Sequence, residues 1–269
     1  MPYTHKIVPM TLAVIFIICL GLFLYQVPFS SQQSSQDTLT VGLQSGAPPF
    51  EFVESNGKCA GFDVDLAHLI AQKMGKKVVI RDMEFEGLII ALNQGKIDLI
   101  ISAMNITPSR SKEIFMIPYH GEATDHFTLI FWNKIPDNVH TIEDLAKIPD
   151  ASICAEVGSV HEEYINRYNK IIRVKSFPGI LNALIDVKYG KSLALLVEPD
   201  IAGYLKKKHA EIKTLPITLP PDVAVEGLGI GVSKKNKSLY DEVSHIIQEL
   251  KKSGELQNIE DQWFGGVKE

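Results

Sequence analysis

Cysteine is scarce in this chain of 269 residues, which has three. Cys19 falls in an apolar N-terminal run. Cys59 follows an Asn56-Gly57 turn, and Cys154 sits in an apolar stretch far along the chain. That distribution excludes a disulfide framework and predicts two free thiols, Cys59 and Cys154, in different lobes. A CxxC pair is missing, as is any Cys/His spacing suited to a metal, so neither metal nor cofactor is expected. GxSxG, HExxH and a Cys/His nucleophile pair are also missing, which removes the familiar hydrolytic chemistries. The net charge is -5, and no basic stripe is interleaved with aromatics. A nucleic-acid partner is thereby excluded. Lys206-Lys207-Lys208 reads as a solvated helix end.

What is present begins with an apolar segment. His5 and Lys6 precede an uncharged stretch over 7–36, strongly apolar from Met10 to Tyr25. Residues 1–29 are expected to be a signal peptide or a retained N-terminal membrane anchor, with Lys6 on the cytoplasmic side. Either way the rest of the chain is exported. Residues 30–38, rich in Ser and Gln, are expected to form a flexible tether.

Beyond the tether, strand and helix patterns alternate. Residues 39–43, 78–80 and 97–101 read as strands, with helices over 63–74 and 88–94. Asn56-Gly57 marks a hairpin. A short helix from Pro108 is expected to end near Ile117-Pro118-Tyr119. The pattern restarts with strands at 128–132, 151–155, 171–174 and 193–197, and with helices after Thr141, over 159–169, 178–189 and 199–208. Alternating glycines at 227, 229 and 231 predict a strand approached closely by other atoms, and two helices close the chain. This pattern is an α/β fold of two units, with ligands expected beyond the carboxyl ends of the strands. Residues 39–123 are assigned to a first lobe, 124–226 to a second, and 227–269 to a return to the first.

Residues 95–110 organise the rest. An apolar strand runs into the polar connection Ser102 to Ile106, and Thr107-Pro108-Ser109-Arg110 then opens a helix with a good N-cap and Pro at its first position. A helix start with an Arg in its first turn suits a carboxylate, because the guanidinium is a planar fork. Asp63 and Asp65 read as capping and charging the start of their helix, and His161 as a surface helix residue.

The segments Pro48-Pro49-Phe50-Glu51-Phe52, 61–67, Gly87-Leu88 with 91–98, 102–110, Pro118-Tyr119, Gly158-Ser159, Glu198, and Gly254 with Trp263-Phe264-Gly265 resemble the family-3 extracellular solute-binding proteins, the polar amino-acid receptors of ABC importers. The resemblance implies a type II periplasmic-binding-protein fold: two α/β lobes joined by a two-strand hinge and closing on a ligand. It implies that Arg110 clamps the ligand's α-carboxylate, helped by Thr107, Asn105 and the backbone at Ser102 and Ala103. It gives Ser159 a contact to that carboxylate from the second lobe, Glu198 the α-ammonium, Phe85 the wall beside the side chain, and Gln44 and Ala47 the loop facing it.

Many basic amino-acid receptors of this family carry Asp where this chain has Gln44 and an aromatic where it has Ala47. Glu51 or Glu122 is a nearby source of compensating charge. The implied ligand is a free L-amino acid, arginine first and glutamine or another polar one next. The implied partner is an ABC permease in the inner membrane, served by a periplasmic monomer that is tethered where the N-terminal anchor is retained. The alternatives are a cyclohexadienyl dehydratase-like enzyme on the same fold and an amino-acid sensor acting through a partner.

Overall fold

The computed structural model describes residues 37–223 and 225–265. The segment expected to direct export, and the tether up to residue 36, lie outside the described residues. The first strand already takes in Thr38, which the sequence placed in the tether.

The first part of the chain runs β1 (Thr38–Leu43), β2 (Phe52–Val53), β3 (Cys59–Ala60), α1 (Phe62–Lys73), β4 (Lys77–Asp82), a 3-10 turn at Phe85–Gly87, α2 (Leu88–Asn93), β5 (Leu99–Ile100), α3 (Pro108–Glu113) and β6 (Ile114–His120). The middle part runs β7 (His126–Trp132), α4 (Ile142–Leu145), β8 (Ser152–Glu156), α5 (Val160–Asn166), β9 (Arg173–Phe177), α6 (Ile180–Lys188), β10 (Ala194–Val197), α7 (Pro199–Lys208) and β11 (Ile212–Thr218). β12 (Leu228–Ser233), α8 (Lys237–Ser253) and α9 (Glu255–Phe264) complete it.

Two five-stranded sheets organise these elements, in the orders β4-β1-β5-β12-β6 and β11-β7-β10-β8-β9. Each is mixed. β4, β1 and β5 are parallel, while β12 and β6 run antiparallel beside them. In the second sheet β10, β8 and β9 are parallel, while β7 and β11 are antiparallel. The inner parallel strands β1, β5, β8 and β10 are apolar runs visible in the sequence, because helices cover both faces. Leu39, Val41 and Leu43 of β1 are all buried, as are Ala194 to Val197 of β10.

Two strands depart from the sequence reading. The helix from Pro108 stops at Glu113, and Ile114–His120 is extended as β6. β11 had no counterpart in the sequence reading. Both are edge strands and both contain a proline, Pro118 and Pro216. An edge position tolerates the missing donor that a central position does not.

The chain passes between the sheets twice, from β6 to β7 and from β11 to β12. The two crossings pair at Thr124 and Val225, through an antiparallel bridge with a 3.2 Å bond from the Thr124 N–H to the Val225 carbonyl. This is a two-strand hinge between two α/β lobes. The return strand needs its glycines: a Cβ on Gly229 would stand 2.7 Å from a side-chain carbon of Ile106. Cys59 and Cys154 form no disulfide.

His120 ends β6 where the first crossing leaves the sheet. Its Nδ1 is 2.9 Å from Glu260 of α9, in the first lobe, and its Nε2 is 3.4 Å from Asp200 of α7, in the second. Burial opposes a charged imidazole, but the two carboxylates outweigh it and lift the pKa from 6.5 to about 9. A raised histidine stabilises the fold fully below its unfolded pKa, and that contribution is lost as pH rises through about 9. Urea unfolding at about pH 7 and about pH 10 should therefore show a loss of stability in the wild type that is smaller in His120→Gln. Equal losses in the two proteins would remove His120 from this role.

Candidate functional site

A narrow cleft between the lobes collects residues that follow the carboxyl ends of the parallel strands. Gln44 follows β1, Phe85 follows β4, and Ser102, Ala103 and Asn105 follow β5, all from the first lobe. Glu156 ends β8, Ser159 starts α5 and Glu198 follows β10, all from the second. Of the residues singled out from sequence, Gln44, Phe85, Ser102, Ala103, Asn105, Ser159 and Glu198 line this cleft together. Arg110 reaches its edge, where the guanidinium sits 5.4 Å from the centre of the Phe85 ring.

Direct bonds join the lobes across it. The Asn105 side-chain amide donates to Glu198 Oε1 at 2.6 Å. Arg110 Nη2 donates to the Gly158 carbonyl at 3.1 Å, while Nη1 donates to the Asn105 carbonyl at 2.9 Å. Gln44 Nε2 donates to the Pro178 carbonyl. Burial lowers the Arg110 pKa to about 10, against the opposing pull of Glu163, Glu156 and Glu198. The guanidinium stays charged at neutral pH.

Several expected contacts are already committed within the protein. The Gln44 side-chain oxygen accepts from the Phe85 N–H at 2.8 Å and so fixes the start of the aromatic wall. Thr107 caps α3, its hydroxyl accepting from the Arg110 N–H at 3.2 Å. Ser159 caps α5 in the same way and donates to the Glu156 carbonyl at 2.7 Å. Ala103 has φ +40°, a strained value for a residue with a Cβ. Its N–H donates to Asp63 Oδ2 at 2.7 Å.

Asp63 therefore does not cap its helix. The N-cap position is Gly61, without a side-chain bond. The Asp63 carboxylate is fully buried and accepts from Ala103 and from the Tyr119 hydroxyl at 2.9 Å, holding the loop after β5 in place. Asp65 also acts elsewhere, accepting from the Trp263 indole at 2.8 Å.

Three further cleft residues differ from the sequence reading, which gave Glu51 only as a nearby charge, His161 as a surface residue and Glu156 no role. Glu51 is 1% exposed. Its Oε1 accepts from the Ser102 hydroxyl at 3.3 Å, but its Oε2 meets no donor. Its neighbour Asp63 is another acceptor. Burial, then the charge of Asp63, raises the Glu51 carboxyl well above the ordinary range. Burial also raises Asp63, so a shared proton relieves the pair. Glu156 is pushed to about 8 by burial and by the charge of Glu84. His161 is not on the surface: it is 6% exposed, its ring centre 4.4 Å from that of Phe127. Its Nε2 is 3.3 Å from Glu198 Oε1, yet poorly aligned for a hydrogen bond. The signal for Glu156 and His161 was their place beside Gly158-Ser159, at the end of a parallel strand. Burial of Glu51 has no signature in its own segment.

Comparison with known proteins gives a consistent picture. Residues 39–266 match the family model for bacterial extracellular solute-binding proteins, family 3. A Chlamydia trachomatis protein named as a probable ABC transporter arginine-binding protein, ArtJ, is 37% identical over 86% of this chain and 87% of its own length. A solved structure of an ancestral arginine-binding protein bound to arginine superposes with TM-score 0.77 at 31% identity, covering 86% of this chain and 100% of that one. An ancestral arginine-binding protein bound to glutamine gives TM-score 0.76 at 33% identity, over 86% and 100% of the two chains.

If Asp63 holds the β5 loop, Asp63→Ala strands two buried donors, at about 1–3 kcal/mol each. Relief of its repulsion with Glu51 offsets part of that cost. A net loss of roughly 2–4 kcal/mol in urea unfolding is expected, with a smaller loss for Asp63→Asn, which keeps one acceptor. Equal stability of Asp63→Ala and wild type would contradict this role.

Proposed function

We propose, for a chain that belongs to the bacterial extracellular solute-binding proteins of family 3, that it captures an L-amino acid, arginine by preference, in the inter-lobe cleft and delivers it to an ABC permease. As a member of that family it acts by binding, not by catalysis. The observation that carries the ligand assignment is the charge balance of the cleft. A free amino acid is a zwitterion, and taking it out of water requires a partner for each charge.

Arg110 is the partner for the carboxylate. A guanidinium has five N–H donors, and the carbonyls of Asn105 and Gly158 engage two of its nitrogens. Glu198 is the partner for the ammonium, coming from the opposite lobe, so closure completes the pairing. After both are assigned, acidic groups remain in excess: Glu156, and Glu51 with Asp63 beneath it. That surplus suits a cationic side chain, for which Phe85 supplies an aromatic wall.

The other residues have supporting parts. Asn105, Ser102 and Ser159 offer neutral polar groups. Ala103 shapes the loop, Thr107 fixes the helix that carries Arg110, and Gln44 fixes Phe85. Glutamine is the second reading, because a Glu156 carboxyl pushed to about 8 holds a proton at neutral pH and can donate to a side-chain amide oxygen. The protein works on the exported side of the membrane, where its family is found.

A thermal-shift screen of the twenty amino acids tests this directly. A tight ligand at a hundredfold excess over Kd adds roughly 2.7 kcal/mol of stability, and arginine is expected to give the largest shift. Arg110→Ala should weaken arginine binding by at least about 2 kcal/mol. No shift with any amino acid, or near-normal affinity in Arg110→Ala, would contradict the proposal.

A further inference from the structure

We infer that Glu51 and Glu156, one from each lobe, form a two-sided clamp for the ligand's side-chain cation, and that this clamp holds a proton whenever the cation is replaced by an uncharged group. The choice between arginine and its neutral analogues is then set by pH. This rests on the reading of the cleft as an amino-acid site and names how that site chooses.

Glu51 lies just beyond the first-lobe loop that follows β1, and Glu156 ends β8 of the second lobe; both line the cleft. Across this one narrow cleft the charge of Glu156 opposes ionisation of Glu51, after the larger effects of burial and of Asp63. Glu51 is more than nine-tenths buried, and its Oε2 meets no donor. Ser102 donates to the other oxygen, and Asp63 behind it donates nothing while ionised.

On the Glu156 side, Glu84 of the first lobe adds repulsion, whereas Arg110 and the Ile180 amide favour the ionised form. His161 and Glu198 complete the titratable lining but face each other, 3.3 Å apart. Carboxylates this crowded and this dry do not all ionise together. Either a proton or a ligand cation has to sit among them. Burial holds the Glu156 carboxyl at about 8, and that of Glu51 well above the ordinary carboxylate range.

The linkage follows without reference to the open, ligand-free form. Both complexes start from the same free protein, so the ratio of their affinities depends only on the difference in bound protons between them. The complex with a neutral side chain keeps at least one proton that the arginine complex lacks. Raising the pH strips that proton at a cost borne by the neutral ligand alone. Preference for arginine therefore grows with pH, by about tenfold per unit for each proton, and levels off above about 8.

L-Citrulline is the probe, having the length of arginine with a neutral urea in place of the guanidinium. Affinities of the full exported domain for both ligands, measured by calorimetry from about pH 5.5 to about pH 8.5, give the ratio directly. The expected result is a ratio that rises about tenfold per pH unit in the wild type. Glu156→Gln should flatten it, and Glu51→Gln should reduce its slope. A flat wild-type ratio would overturn the inference while leaving arginine capture intact, as would a slope surviving both substitutions. Failure of citrulline to bind even at the acid end would also overturn it, because the protonated clamp is expected to accept a neutral group. No arginine binding at any pH would remove this inference together with the reading beneath it.

Discussion

The Glu51 carboxylate turns one oxygen towards no donor at all and lies against Asp63, a second acceptor, in a site closed to water. An ion in that position costs several kcal/mol unless something positive joins it. The rest of the cleft can be understood from that constraint. Asp63 is held by the Ala103 N–H and the Tyr119 hydroxyl, so its charge is fixed in place beneath the site. Glu156 lines the cleft from the other lobe, and its charge adds to the crowding. A ligand that brings a cation relieves all three groups, whereas a neutral ligand leaves them in need of protons.

The fold delivers these groups because of where parallel strands end. Every cleft-lining loop leaves the carboxyl end of a parallel strand, in one lobe or the other. The two sheets are linked by two crossings that pair at Thr124 and Val225, so the lobes share a narrow hinge. Bonds such as Asn105 to Glu198 and Arg110 to the Gly158 carbonyl span the gap. His120 adds a charged contact at the hinge side, with one carboxylate from each lobe. Arg110 comes from the first lobe and Glu198 from the second, so the two opposite charges reach one cleft only where the lobes face each other.

Much of this was legible in the sequence. The apolar runs at 39–43 and 193–197 announced buried strands, the junction at Thr107 announced a cap, which it is, and a helix was expected after Gly158-Ser159, where α5 begins. The resemblance carried by the Pro48-Pro49-Phe50 and Ser102 to Arg110 segments led to the family. What was missed has physical reasons. β6 and β11 are edge strands interrupted by Pro118 and Pro216, so the pattern of a central strand is absent from both. Asp63 stands where an acidic residue commonly favours a helix start, and its use for the Ala103 amide depends on a loop forty residues away. His161 sits on a helix of mixed polarity, and its burial against Phe127 and Glu198 comes from another strand and another loop. Long-range burial of polar groups leaves no local period to read.

If buried acid selects the ligand's charge, a thermodynamic cycle reveals it. Arginine and citrulline binding, measured on wild type and on Glu51→Gln at one pH near 8, gives the coupling between the carboxylate and the guanidinium. A coupling of about 1.4 kcal/mol or more is expected, equivalent to a tenfold loss of preference for arginine in the variant. Equal weakening of both ligands, with no coupling, would contradict it.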